Sequence, residues 1–174
     1  GAGACPVRGH SNVQGDRTVG INEKPTALYL DRVRDAFGFE PPRAPGHNTV
    51  ETVAAMEAGT VRVFIGLGGN FVRAVPDTER AYRAMQSVGL TVGIATKLNR
   101  SHVLVGDGAW LLPCLVRAER DRQRTGPQAV SMEDSLSHIH GSMGRRPPAS
   151  RHLLSEPAII AGIAKATLPP KPQV

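Results

Sequence analysis

Apolar residues recur at helical spacing in the first patterned part of the chain. Residues 26–37 carry an apolar residue every three or four positions, and Gly38 follows where a C-terminal cap is expected. Asn48 and Glu51 stand three positions apart, as in a capping box, and a second predicted helix runs from there to Met56. The pattern therefore predicts two short helices before the first strand.

Strands and helices then alternate along the chain. Runs rich in β-branched and apolar residues predict strands at 61–65, 90–94 and 109–112, with a helix over 79–88 and two further short strands within 128–140. Strands separated by helices are typical of a parallel sheet with right-handed crossovers. The prediction is an α/β fold of the Rossmann-like kind, a mostly parallel sheet flanked by helices with long loops at the strand ends.

Three regions follow from this pattern. Residues 1–25 are polar and glycine-rich without periodicity, which predicts an extended arm. The α/β domain is predicted over 26–168, with a last helix that begins after Ser155 as its N-cap and runs to about Ala166. Residues 169–174 are predicted to be a tail or the stub of a linker.

The composition of the chain also predicts an anionic partner. The 174 residues include 21 Lys and Arg against 15 Asp and Glu, which leaves a net charge of +6. A nucleotide, a phosphate or a nucleic acid would suit such a charge. Aromatic residues make up only 4% of the chain, which argues against a surface that stacks bases. The 19 glycines and 14 prolines predict long, shaped loops.

Several classes of protein are excluded by what the sequence lacks. No apolar run approaches the roughly 18–20 residues of a membrane span. Two cysteines, Cys5 and Cys114, are too few for a disulfide framework or a cysteine-rich metal site. We interpret Cys114 as a thiol packed in the core. A reducing, cytoplasmic location is therefore expected. We also predict no metal site made from this chain's side chains alone.

Polar segments follow the predicted strands, where open α/β sheets bind ligands. The Gly66–Phe71 loop would let backbone N–H groups approach a phosphate, although it matches neither common nucleotide fingerprint and a plain turn is the alternative. In the next loop Lys97 and Arg100 would clamp an anion, while Asn99, Ser101 and His102 would read the edge of a polar ring. A solvated loop is the alternative there.

Charged residues form two further groups. Residues 117–124 contain four arginines with Glu119 and Asp121, and we interpret them as a solvated, internally paired face. Within the opening arm, polar side chains from Arg8 to Arg17 are unusually dense for a loop. Such a density of donors indicates a site or a partner contact, with a mobile arm as the alternative.

The residues of the opening arm also carry a family resemblance. The segment CPVRGHSNVQGDRT, residues 5–18, resembles a signature of molybdopterin-dependent oxidoreductases, in the formate-dehydrogenase-like branch of the dimethyl sulfoxide reductase superfamily. Later motifs agree in order: FIGLGGNF at 64–71, then Pro76 and Asp77, TKLNRSH at 96–102, and WLLPC at 110–114. The resemblance covers nearly the whole chain.

The resemblance implies a cofactor and a role for this region. Such enzymes carry a molybdenum ion held by two molybdopterin guanine dinucleotides, and the matching domain binds one of these with its strand-end loops. Arg8 and His10 would be catalytic residues beside the molybdenum, with Arg8 orienting a small anionic substrate such as formate. The residues implied in cofactor binding are Asn12, Gln14, Gly15, Asp16, Arg17, Gly66, Gly68, Gly69, Asn70, Phe71, Asp77, Thr96, Lys97, Asn99, Arg100, Ser101 and His102.

The sequence also departs from the family. Thr96 stands where many relatives carry an acidic residue that reads guanine, so that contact must differ or come from Asn99. Family members are several times longer, and the part that would hold an iron–sulfur cluster and the molybdenum ligand is missing here. We therefore expect a fragment whose partners are the remaining domains of the oxidoreductase, and which is inactive by itself. The alternatives are a stand-alone nucleotide- or anion-binding module and, least favoured, a nucleic-acid binder.

Overall fold

The computed structural model describes residues 24–133 and 138–169. The chain divides into two compact units. One extends to Gly46 and also includes Ala129–Met143, and the other comprises His47–Gln128 and the chain from Gly144 onward. Most of the predicted arm lies outside the described residues, as do the last five residues of the tail.

The described ranges contain five α-helices, seven strands and a short 3-10 helix. In chain order they are α1 (Ala27–Phe37), α2 (Thr49–Glu57), β1 (Val63–Leu67), α3 (Phe71–Ala74), α4 (Thr78–Gln86), β2 (Leu90–Ala95), the 3-10 helix (Arg100–His102), β3 (Gly108–Pro113), β4 (Arg122–Gln123), β5 (Gly126–Pro127), β6 (Val130–Glu133), β7 (Ile139–Ser142) and α5 (Glu156–Thr167).

The smaller unit contains α1 and a hairpin. The Thr26 side chain accepts a hydrogen bond from the Tyr29 N–H at 3.2 Å and caps α1 at its start. Gly38 ends the helix in the left-handed region, with φ of 65°, and its N–H donates to the Arg34 carbonyl. Strands β6 and β7 pair antiparallel, which confirms the two short strands predicted near residues 128–140.

The larger unit is built on a parallel sheet in the order β1-β2-β3. Gly66 of β1 lies beside Gly93 of β2, and Gly93 in turn lies beside Leu111 of β3. The predicted α/β fold with a mostly parallel sheet flanked by helices is confirmed. Because parallel strands end at the same edge, the loops after β1 and β2 leave the sheet close together.

Strand β1 begins and ends two residues later than the sequence pattern predicts. It spans Val63–Leu67, and Leu67 still pairs with Ile94 of β2. Gly66 therefore belongs to the strand, and the loop begins only at Gly68. The reason is tertiary, because pairing with β2 decides where β1 stops, whereas alternation of apolar residues does not mark the end of a strand.

Helices α2, α3 and α4 cover one face of the sheet. Met56, Val72, Met85 and Val88 are fully buried there, and Phe64 of β1 packs against them. Asn48 and Glu51 make both hydrogen bonds of the predicted capping box, so α2 starts where the sequence places it. These helices hold the loop after β1 on a rigid base.

Helix α5 covers part of the opposite face. Ile159 packs there with Ile94 and Cys114, and all three are buried. Cys114 is thus the packed thiol that the sequence indicates; burial first, and the negative charge of Glu156 second, raise its pKa. Ser155 is the N-cap residue of α5, but its side chain makes no capping hydrogen bond, contrary to expectation. Among the described helices, none is long and apolar enough to cross a membrane.

Candidate functional site

Two motif-bearing loops are joined by hydrogen bonds at the carboxyl edge of the sheet. The Asn99 side-chain amide donates to the Gly69 carbonyl at 2.6 Å. The Ser101 hydroxyl donates to Asn70 Oδ1 at 3.2 Å and accepts from the Val72 N–H at 3.2 Å. These contacts link residues about thirty positions apart in sequence, so the two predicted binding loops form one structure.

The glycine loop presents backbone donors. Gly68 and Gly69 have φ of 64° and 59°, a conformation that side-chain-bearing residues rarely adopt. The Gly68 N–H donates to the Ile94 carbonyl at 2.7 Å and fixes the loop to β2. For the next three residues, Gly69 to Phe71, no acceptor within the described chain receives the backbone N–H. Three successive amide donors in a tight loop are suited to an anion.

Aromatic packing holds the end of this loop. The rings of Phe64 and Phe71 are 5.0 Å apart between centroids and tilted by 48°. Phe64 lies on β1 and Phe71 begins α3, so their contact anchors the loop on both sides. A tilted pair at this distance adds about 0.5–1.5 kcal/mol beyond burial of the rings.

The short 3-10 helix orients the imidazole of His102. The Asn99 side chain accepts from the Ser101 N–H at 2.9 Å, and the Asn99 N–H donates to His102 Nδ1 at 3.1 Å. Because Nδ1 accepts, the neutral ring carries its hydrogen on Nε2 and is a donor there. The ring lies against Gly93, where an added Cβ would stand 2.8 Å from Cδ2 and 3.1 Å from Nε2.

A cavity of about 120 Å³ lies between the two loops and the sheet. Its walls include six of the residues that the family resemblance implies in cofactor binding. These are Gly66, Gly68, Gly69, Phe71, Ser101 and His102. The cavity therefore brings together both loops that the sequence motifs indicate as binding loops.

Other predicted site residues take different places. Asn70 and Asn99 hold the two loops together rather than line the cavity. Thr96, Lys97 and Arg100 are exposed on the loop after β2. Because Lys97 and Arg100 are exposed, their positive charges are available to bind an anion at the edge of the sheet.

Asp77 has a structural role. It is the N-cap of α4, and its carboxylate accepts from the Arg80 N–H at 3.2 Å. Its φ of 55° is a conformation that costs energy for a residue with a Cβ, although Asp tolerates it better than most. Asp77 does not line the cavity beside Gly68 and Ser101.

Nine residues that line the cavity are not among the predicted site residues, and Thr91, Gly93 and Trp110 are three of them. Gly93 offered a signal, since a glycine inside a strand often marks the close approach of another group. Here that group is the His102 ring. Trp110 belongs to the WLLPC motif, which the sequence assigned to a strand and not to the site. Thr91 offered no signal, because its neighbours become apparent only after the strands pair.

The predicted residues of the opening arm lie outside the described part of the chain. They are Arg8, His10, Asn12, Gln14, Gly15, Asp16 and Arg17. Within residues 24–133 and 138–169, no group of three His, Cys, Asp or Glu side chains is placed to hold a metal ion.

Known proteins are similar to this chain over nearly its whole length. The chain is 53% identical over 169 residues to Protein YdeP of Escherichia coli O6:H1, an alignment that covers 97% of the chain. It is 49% identical over 170 residues, or 98% of the chain, to a protein of Mycobacterium tuberculosis H37Rv named as an uncharacterized oxidoreductase. A Mycobacterium bovis protein with a name of the same kind matches equally well. No family model matches the chain.

The relatives are much longer than this chain. Each alignment covers 22% of the relative, so the chain spans about a fifth of the length of the curated relatives it matches. The chain is therefore similar to one part of larger proteins, and some of these are named as oxidoreductases.

Proposed function

We propose that this chain is a molybdopterin guanine dinucleotide-binding domain of a molybdenum oxidoreductase resembling formate dehydrogenase. The observation that carries the proposal is the joining of the Gly66–Phe71 and Thr96–His102 motifs by hydrogen bonds at one edge of a parallel sheet. Similarity to proteins named as oxidoreductases supports the redox part. The molybdopterin part rests on the motifs that resemble that family.

The donor set at the sheet edge fits the phosphate part of such a cofactor. The successive N–H groups from Gly69 to Phe71 would bind a pyrophosphate, and the exposed cations Lys97 and Arg100 would neutralise its charge. The Nε2–H of His102 would donate to an acceptor that enters the cavity. All of these groups are donors or cations, which is what an anionic ligand requires.

The bound cofactor would supply the two-electron redox chemistry at its metal. This chain would bind and orient the dinucleotide. In the opening arm, Arg8 would orient a small anionic substrate such as formate, with His10 nearby. Asn12, Gln14 and Arg17 would border the pterin. The remaining domains of the oxidoreductase would complete the site, and the 174-residue chain alone would not turn over substrate.

A stand-alone nucleotide-binding module is the second candidate. It is favoured by one observation: both loops of the cavity lie in the unit that comprises His47–Gln128, and they hold each other without the opening arm. Such a module would bind a simple guanine nucleotide as well as it binds the pterin-bearing cofactor.

Calorimetric titration separates the two candidates. We expect the chain to bind molybdopterin guanine dinucleotide more tightly than GDP, and the double variant K97Q/R100Q to bind it about tenfold or more weakly, because two cations are lost. Lys165→Gln, on the exposed last turn of α5, removes a charge away from the loops and is the matched control. Equal affinity for GDP and the full cofactor would favour the module. Unchanged affinity in the double variant would contradict both candidates.

A further inference from the structure

Most of the net positive charge of the chain lies in one part of the larger unit. Residues 117–124 and 144–151 together contain seven arginines and two acidic residues, so they carry five of the six net positive charges. Neither segment belongs to the loops of the strand-end cavity.

The two acidic side chains of this region do not neutralise the arginines. Glu119 accepts hydrogen bonds from the backbone N–H groups of Val116 at 2.8 Å and Ala149 at 2.6 Å. Asp121 accepts from the Gln123 side-chain amide at 2.7 Å. Among the described residues both carboxylates bind amides and neither forms an ion pair with a guanidinium group, so the internal pairing predicted from the sequence is wrong. The solvated character predicted for this face agrees with the exposure of Arg117, Arg122 and Arg124.

Most arginines of the region have no ion pair within the described chain, and Arg120, Arg122 and Arg151 are three of these. The described salt bridges belong to arginines elsewhere, of which Arg80 with Glu57 is one. Two of these three arginines make other hydrogen bonds, from Arg120 to the Arg145 carbonyl and from Arg151 to the His152 ring. These bonds orient the guanidinium groups but leave their charges uncompensated.

These three arginines line a second cavity, of about 230 Å³, together with the rigid pair Pro147 and Pro148. Asp121 also lines it. The volume is below the 300–1,000 Å³ of pockets for drug-sized ligands and suits a group the size of one or two phosphates.

The walls of this cavity are held in place by backbone contacts. The Arg120 N–H donates to the Arg146 carbonyl at 2.8 Å, and the Leu115 N–H donates to the Leu154 carbonyl at 2.9 Å. Gly144 permits this packing, since a Cβ there would collide with the Glu119 carbonyl. The cavity therefore exists before a ligand enters, which lowers the entropic cost of binding.

We propose that this second cavity is a phosphate-binding site, distinct from the glycine loop, in which Arg120, Arg122 and Arg151 bind the oxygens of a phosphate group. A guanidinium presents paired N–H donors that match two phosphate oxygens, and three unpaired guanidinium groups offset the charge of a dianion. The phosphate group is inorganic phosphate itself or the phosphoryl end of a nucleotide.

The test is titration of the full 174-residue chain with inorganic phosphate, pyrophosphate and GDP at constant ionic strength. We expect saturable binding of phosphate, weakened about tenfold or more in each of R122Q and R151Q. Arg124→Gln is the matched control, because Arg124 lies in the same charge run, is exposed and does not line the cavity. Circular dichroism of each variant checks that the fold is retained.

The outcomes separate this proposal from the proposed function. Loss of GDP affinity in R122Q identifies a nucleotide phosphoryl group as the source, and unchanged GDP affinity identifies a separate small anion; both support the site. Absence of phosphate binding would overturn the proposed site. Equal weakening by R124Q would also overturn it, since the arginines would then attract phosphate only through their summed positive charge. The K97Q/R100Q variant, which lacks the strand-end cations, is expected to bind phosphate normally.

Discussion

The contact between Gly93 and the His102 ring can be tested by adding a single methyl group. In Gly93→Ala the new Cβ would stand 2.8 Å from His102 Cδ2, 3.1 Å from Nε2 and 3.3 Å from Leu111 Cδ1. The ring must then shift, which strains its hydrogen bond with the Asn99 N–H. Overpacking of this kind costs about 1–3 kcal/mol. Replacing a glycine within a strand recovers about 0.5–1 kcal/mol, so we expect a net loss of up to about 2.5 kcal/mol.

Denaturant unfolding followed by circular dichroism measures this loss. Gly141→Ala is the matched control, because Gly141 also lies in a strand and an added Cβ would meet nothing within 4 Å. It is expected to be neutral or slightly stabilising. Removing the ring first, with His102→Ala, should relieve most of the clash, so that Gly93→Ala costs about 0.5 kcal/mol or less in that background. An equal cost of Gly93→Ala with and without the ring would refute the proposed contact.

Three further predictions concern the rest of the larger unit. Glu119→Gln weakens two charge-assisted hydrogen bonds to backbone amides and should lower the free energy of unfolding by about 1–3 kcal/mol, measured with urea. Burial and the charge of Glu156 raise the pKa of the Cys114 thiol, so iodoacetamide at pH 8 should alkylate Cys114 far more slowly in the native chain than in the unfolded chain. Mass spectrometry measures the two rates, and equal rates would contradict the burial of the thiol. The Arg80 hydrogen bonds lower the pKa of Glu57 below its ordinary value of 4.5, so the pair stabilises the fold above that pH and its contribution is lost as the pH falls further. Unfolding of Arg80→Gln at pH 3 and pH 7 checks the sign, since the variant should differ from the parent chain more at pH 7.

Local signals in the sequence predict the helix ends well. The Asn48–Glu51 capping box depends only on residues three positions apart, so it is visible before any folding. The same holds for Gly38, whose left-handed φ ends α1. The alternation of strands and helices likewise predicts the parallel sheet, because a parallel pair requires a crossover connection.

Contacts between distant residues are what the sequence does not reveal. Glu119 stands among arginines in the sequence, which suggests ion pairs, but the fold brings the Ala149 amide to it from thirty residues away. Strand β1 ends at Leu67 because Ile94 pairs with it there. At the site, the motifs identify both loops, whereas the wall contributed by Gly93 depends on the register of β2.

The proposed function requires that the amides of the glycine loop bind the pyrophosphate of a pterin-bearing dinucleotide. Titration of the ¹⁵N-labelled chain with molybdopterin guanine dinucleotide, followed by amide NMR, tests it directly. We expect the largest shifts at the N–H groups of Gly69, Asn70 and Phe71, which have no acceptor within the described chain, in step with saturation of one site. Saturable binding that leaves these three amide resonances unmoved, or no binding to the folded chain, would contradict the account.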